Sequence, residues 1–302
     1  MSKILITGGS GLVGTKVSEF LLKSNHEPVW LSREEGQVTS IKKFKWDIKS
    51  SYIDEKAFDG VEHIIHLAGA GIADKRWTKK YKKEIIDSRV KSSELLLNYI
   101  VKKNIPIKTL VGGSAIGFYG AKQSQTVFKE NDHPGSDFLA ESCIVWEKSY
   151  LPFASLGIRT PIIRTGVVLS KKGGAYKKMS PPFKFGLGAA LGNGKQYFPW
   201  IHINDLANMF VYALFNENLN GVYNGVATEL ITNKHFSKLL AESFDKPFFL
   251  PNVPSGALHL AMGEGALMVT EGLKISNAKI KLTGFNFGFE KVNEALKELA
   301  VQ

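Results

Sequence analysis

The sequence predicts an α/β fold: a doubly wound parallel sheet with a smaller carboxyl-terminal substrate lobe. Short β-branched, apolar runs alternate with longer stretches of helical periodicity. A turn with glycines at Gly8, Gly11 and Gly14 joins the first such run to the first such stretch. Several later runs end in Gly, Ala or Ser, where an open α/β sheet keeps room for a flat ligand. With 302 residues, 44% of them hydrophobic, the chain can bury its core without disulfides or metals.

The first strand is expected over residues 3–7 and the first helix over 12–23, with apolar positions at Leu12, Val13, Val17, Phe20, Leu21 and Leu22. Between them Gly8 permits the turn, Gly11 lets the backbone approach a pyrophosphate, and Gly14 lets the helix pack on the strand. Ser10, Leu12 and Val13 complete an amino-terminal helix turn whose free N–H groups suit an anion. This strand, turn and helix predict a Rossmann-type dinucleotide site.

The second strand, over 28–32, ends where the cofactor is selected. An acid there would accept the ribose hydroxyls of NAD; Ser32 and Arg33 instead suit a 2′-phosphate. The expected cofactor is therefore NADP, with NAD the alternative because Glu34 and Glu35 follow at once. After a strand at 44–46, Asp47 either accepts from an adenine amino group or caps a turn. A strand over 63–69 ends in Leu67, Ala68 and Gly69, a long helix covers 78–103, and a strand over 109–114 ends at Ser114.

Farther along, the stretch 173–194 is rich in glycine and aromatics and reads as a mobile lid. A last core strand is expected over 221–226, with helices near 204–215, 233–244, 255–263 and 290–299. Residues 1–165, completed by about 201–227, then form the dinucleotide-binding core, and 166–200 plus 228–302 the substrate lobe.

The Thr7–Gly14 turn, His66-Leu67-Ala68-Gly69, Ser114 and Ile163-Arg164-Thr165-Gly166 resemble the extended short-chain dehydrogenase/reductase superfamily. Further motifs are similar to one epimerase-like branch with a carboxyl-terminal region of unknown function. They include Gly71-Ile72-Ala73-Asp74-Lys75-Arg76-Trp77, Asp87-Ser88-Arg89, Ser114-Ala115-Ile116-Gly117-Phe118-Tyr119-Gly120 and Trp200-Ile201-His202. The resemblance implies cofactor contacts from Arg164, Thr165 and Gly166 beside the glycine turn. It also implies a catalytic Tyr, a Lys four residues on, and a Ser that polarises the same oxygen.

Ser114 fills the serine role by position, but the helix after it reads Asp137-Phe138-Leu139-Ala140-Glu141-Ser142-Cys143 and carries neither Tyr nor Lys. Tyr119 is the candidate acid or base in their place, with Glu130 and Glu141 as lesser candidates. Cys143 reads as a small buried residue. Arg164, Arg76 and Lys195 are candidates for an anionic substrate group. His202 is expected to orient a loop, and His63 and His66 to be packed. No His pair has metal spacing.

The formal charge of +11 comes from lysine pairs dispersed along the chain, which reads as solvated helix faces and excludes nucleic acid as the expected partner. No run is apolar and long enough to predict a membrane span, and the lone Cys143 fits a reducing compartment, so the expectation is cytoplasmic. The reading is an NADP-preferring oxidoreductase or epimerase for a small molecule. The alternative is a dinucleotide-binding sensor that has lost catalysis.

Overall fold

The computed structural model describes residues 1–300. Its strands are β1 (Lys3–Thr7), β2 (Glu27–Ser32), β3 (Gly36–Val38), β4 (Ile41–Asp47), β5 (Tyr52–Ile53), β6 (Val61–His66), β7 (Thr109–Ala115), β8 (Gln123–Phe128), β9 (Ile162–Thr165), β10 (Val167–Ser170), β11 (Trp200–His202), β12 (Val222–Gly225) and β13 (Gly272–Ile275). The helices are α1 (Leu12–Lys23), α2 (Lys79–Lys103), α3 (Phe138–Lys148), α4 (Leu151–Ser155), α5 (Gly174–Lys184), α6 (Ile203–Phe215), α7 (Asn233–Glu242), α8 (Ser255–Met262), α9 (Leu267–Thr270), α10 (Ala278–Lys281) and α11 (Val292–Ala300).

The main sheet runs in the order β12-β9-β7-β6-β1-β2-β4-β3, with β5 paired to β4. Its pairings are parallel except at the β3–β4–β5 edge. From β1 the chain winds outward through β2 and β4, then returns to β6 and winds the other way. That reversal falls between β1 and β6, so the strand ends there diverge and leave a crevice.

Strand β1 is apolar on both faces because both are covered. Ile4 and Ile6 pack with Val17, Leu21, Leu206 and Phe210 from α1 and α6. Leu5 packs on the opposite face with Ile64, Leu96, Leu110 and Phe153. Fully burying a side chain such as Leu21 or Phe210 contributes about 1.5–3 kcal/mol. A separate core of Tyr176, Phe183, Trp200, Phe236, Leu240 and Leu296 holds the carboxyl-terminal lobe.

Helix α2 begins where Thr78 accepts a hydrogen bond from Tyr81 N, and ends at Asn104, which adopts a left-handed φ of 50°. Strand β6 stops at His66, three residues short of the expected end at Gly69. The reason is local: Thr7 Oγ1 accepts from Leu67 N at 3.2 Å and Ala68 N at 3.1 Å, which bends the backbone out of the ladder.

The expected lid over 173–194 is instead partly regular, because α5 occupies Gly174–Lys184. Its Tyr176, Ser180 and Phe183 form a buried stripe, and Tyr176 Oη donates to Leu299 O at 2.9 Å. That tertiary burial offsets the hydrogen bonds lost to Pro181 and Pro182 in the last turn. Residues 123–128 pair as β8 with β13, tying the segment after Ser114 to the carboxyl-terminal lobe.

Candidate functional site

The glycine turn at the crevice is built as its spacing implies. Gly8 takes φ 69°, and a Cβ there would stand 2.8 Å from the Leu67 carbonyl. At Gly14 a Cβ would stand 2.4 Å from Gly8 O, so helix and turn could not close on each other. Gly11 is exposed and its Cβ would meet only Gly8 O, which leaves the outer face of the turn open. A cleft of about 380 Å³ begins at Ser10, Gly11 and Leu12 and runs beside Lys16 to Ser170 and Asn204. Val13 is half-buried behind it.

At the end of β2, Ser32 Oγ accepts from Glu34 N, which turns the chain, and Arg33 is exposed with no carboxylate partner among the described residues. Glu34 and Glu35 therefore do not neutralise it. Asp47 closes its own turn, accepting from Lys49 N at 2.9 Å and Ser50 Oγ at 2.8 Å. Those hydrogen bonds hold its carboxyl below the usual range. The turn-capping alternative is the one its contacts support.

Beside the turn, Thr7 Oγ1 lies 2.7 Å from His66 Nδ1, and His66 Nε2 lies 3.1 Å from Ser92 Oγ. Because Ser92 Oγ donates to Arg89 O, the imidazole carries its proton on Nε2 and accepts from Thr7. Burial lowers His66 to a pKa of about 3, so it stays neutral. This brace leads into a half-buried Leu67, a buried Ala68 and a Gly69 open to the crevice.

Ser114, at the end of β7, donates to Glu147 Oε1 at 2.6 Å. Glu147 belongs to α3 and is gripped from the other side by Arg164, with Nε to Oε1 and Nη2 to Oε2 both at 2.8 Å. Burial by itself lowers the Arg164 guanidinium, but the carboxylate outweighs burial and the net shift is upward. Arg164 Nη1 donates to Tyr119 Oη and Glu130 O, and the guanidinium stacks 3.4 Å from the Phe118 ring centroid. Its donors are thus committed inside the protein. The expected cofactor or substrate contact from Arg164 is corrected to an internal clamp on Glu147.

Tyr119 is corrected in the same way. It is fully buried, donates to Asn224 Oδ1 at 2.8 Å, and accepts from Arg164. Burial pushes its phenol upward more than those partners lower it. A sealed phenol bonded on both sides does not face the crevice as an acid or base.

The remaining candidates scatter. Glu130 Oε1 accepts from Asn224 N, and Glu141 is exposed on α3. Thr165 is half-buried; Gly166 N donates to Gly225 O, and a Gly166 Cβ would meet Pro199 O at 2.6 Å, so its smallness serves strand packing. Arg76 donates to Leu260 O, and Lys195 is exposed. His202 caps α6 by accepting from Asn204 N, the orienting role expected for it. On α3, Leu139 and Cys143 are the side chains nearest Gly117, just past Ser114. Burial raises that thiol to about 11. No cluster with metal-binding composition occurs among the described residues.

Residues 4–224 match the NAD dependent epimerase/dehydratase family, and 253–299 match a domain of unknown function, DUF1731. The chain belongs to the NAD dependent epimerase/dehydratase family. Within that family it is 35% identical to epimerase family protein SDR39U1 of Homo sapiens, over 98% of this chain and 99% of the human one. It is 33% identical to epimerase family protein YfhF of Bacillus subtilis, over 98% of this chain and 97% of that one. The crystal structure of human SDR39U1 isoform 2 with NADPH superposes with a TM-score of 0.88 at 31% identity, covering 99% of each chain. A UDP-N-acetylglucosamine 4-epimerase from Bacillus cereus, 19% identical with a TM-score of 0.78, shares the fold.

Among the site's parts in this family member, sequence reasoning passed over Glu147 and Gly9. Glu147 follows Ala140 and Cys143 at helical spacing on the inward stripe of α3, a legible signal for an acid that needs a buried partner. Gly9 lies over the Trp30 indole, where a Cβ would stand 2.4 Å from the ring; nothing local in the sequence marks that contact.

Proposed function

We propose that this family member is an NADP-preferring oxidoreductase or epimerase for a small molecule, in which Ser114 and Glu147 manage the proton at the reacting oxygen. The observation that carries the cofactor preference is Arg33, an exposed guanidinium without a carboxylate partner among the described residues at the end of β2. The open face of Gly11 and the close packing of Gly8 and Gly14 fit a pyrophosphate at the start of α1. NADP, when bound, supplies or takes up hydride. The solved NADPH complex of human SDR39U1 supports the same reading.

The hydrogen-bond direction at Ser114 determines what it can do. Its proton already points to Glu147, so its oxygen offers lone pairs rather than a donor. A substrate hydroxyl therefore donates to Ser114 Oγ, and as that proton transfers, the Ser114 proton passes to Glu147 Oε1. Reduction runs the same path in reverse. Arg164 keeps Glu147 aimed at Ser114 throughout.

Titration with NADPH and NADH, followed by nicotinamide fluorescence, tests the cofactor assignment. NADPH binds more tightly, and Arg33→Ala removes about tenfold or more of that preference, the worth of one charged hydrogen bond. Binding of neither nucleotide overturns the reading. Leu139 and Cys143 favour a second reading, a nucleotide-responsive sensor without turnover. It is separated by screening alcohols and carbonyl compounds for changes in NADPH absorbance. In either reading we place the protein in the cytoplasm, with a small molecule rather than nucleic acid or membrane as partner.

A further inference from the structure

Helix α8 is apolar, yet none of its residues is buried. At helical spacing Ala257, Leu258, Leu260, Ala261 and Met262 form one continuous arc, with Ser255, Gly256 and His259 opposite. Every other helix among the described residues buries at least one residue. In α8 one edge of the arc, Leu258 and Met262, is half-buried, and the far edge ends at Leu260, which is 82% exposed. Contiguous apolar surface left in water marks a place that something else covers.

The helix hangs between two fixed points. Before it, Val253 accepts from Gly192 N at 2.9 Å and donates to Ala190 O at 2.8 Å. After it, Gly265 and Ala266 are buried, and Trp77 lies against Gly265. Between these points Gly263 takes a φ of 63°, a turn that glycine makes without strain. Two exposed contacts tie the segment across to the loop after β6 and to α2: Arg76 donates to Leu260 O, and Lys82 pairs with Glu264 at 2.6 Å. Exposed ties of this kind hold weakly, so the segment moves at little cost.

The base of the segment adjoins the crevice. Met268, three residues after Gly265, packs on the cluster around Trp77 and Phe138, as do Ile72 and Leu139. Ile72 lies on the loop that follows Gly69, and Leu139 is beside Gly117, three residues beyond Ser114. All three side chains are half-buried, so half-exposed apolar surface runs from the end of β7 toward α8. A helix of two turns, about 12 Å long, is too small to supply the roughly 1,000 Å² that a stable protein interface needs. A small ligand in the crevice is of the right size.

We propose that α8 is an apolar flap that closes over the crevice and covers the hydrocarbon part of the substrate, with Leu260 as its leading contact. The substrate class is then an alcohol or carbonyl compound carrying an alkyl or aryl group of several carbons, rather than a sugar. This deepens the proposed function and rests on it for the reaction, but not for the binding of the hydrocarbon group.

Calorimetric titration with 2-butanone, 2-hexanone and 2-octanone, with and without NADPH, tests the inference. Each further pair of methylenes buried under the flap raises affinity about tenfold. Leu260→Ser cuts that rise severalfold and leaves 2-butanone binding unchanged. The side chain lies in water, so the variant keeps its fold, which thermal unfolding checks. In the unmutated protein, amide exchange over residues 255–264 slows with 2-octanone and not with 2-butanone. Equal affinity for the three ketones, binding of none, a chain-length rise that survives Leu260→Ser, or slowing confined to other segments overturns the inference. So does a concentration-dependent dimer that Leu260→Ser dissolves, because α8 then covers a second copy. If NADPH fails to bind the unmutated protein, the nucleotide reading falls, and the ketone series without nucleotide still decides this one.

Discussion

Ser114 donates its hydroxyl proton to Glu147 Oε1 at 2.6 Å, across 33 residues of sequence. The buried serine at this strand end thus commits its proton to the carboxylate, which Arg164 holds from the other side. The Arg164–Glu147 pair is nearly enclosed, with side-chain exposures of 3% for Arg164 and 11% for Glu147. Its two charges therefore depend on each other for stability.

Removing one partner leaves a buried charge unpaired, which costs about 3–5 kcal/mol, whereas removing both together costs much less. Urea unfolding of Arg164→Met, Glu147→Gln and the double variant measures this. The double variant loses less stability than the two single losses added together. Strictly additive losses would mean the pair is not coupled.

Close backbone approach at the turn predicts opposite effects for two glycine substitutions. Gly14→Ala forces a Cβ to within 2.4 Å of Gly8 O, so the protein loses about 1–3 kcal/mol and nucleotide affinity falls. Gly256→Ala, on α8 with nothing within 4 Å, gains about 0.5–1 kcal/mol from helix propensity. Thermal unfolding of the two variants shows the difference in sign.

His66 makes stability depend on pH. Its imidazole is lowered from an ordinary value of 6.5 to about 3 by burial, so between those values only the unfolded chain takes up the proton. Its contribution is complete above pH 6.5 and is lost as pH falls, at up to about 1.4 kcal/mol per unit. Denaturant midpoints measured from about pH 7 down to about pH 4 follow that slope, and His66→Gln flattens it by one proton's share. An unchanged slope in the variant would remove His66 as its source.

Cys143 is buried, and its thiol is raised to about 11. Near neutral pH the folded protein therefore resists thiol reagents, and labelling occurs only at the rate of unfolding. Following the reaction with an aromatic disulfide at rising urea tests this. A fast, urea-independent reaction would place the thiol in the open.

Much of the candidate cofactor site was legible because its signals are local. The spacing of Gly8, Gly11 and Gly14, and Arg33 at a strand end, depend only on the strand, turn and helix in which they lie. The same local reasoning misplaced Tyr119: its distance along the chain from Ser114 is short, but the β8–β13 pairing and Asn224 enclose it. It also read 173–194 as a lid, because the buried stripe that makes α5 a helix exists only against the lobe's core.

The alternation of strands and helices, the turn that fits a pyrophosphate, and the absence of a Tyr and Lys pair on α3 are all written in local stretches of the chain. Only the folded sheet brings Thr7 to His66 across 59 residues, sets Ser114 against Glu147, and packs Gly69 against Arg89. Periodicity fixes which face of an element is buried. Which partners meet on that face depends on strand order and register, and these are properties of the whole sheet rather than of any one segment of it.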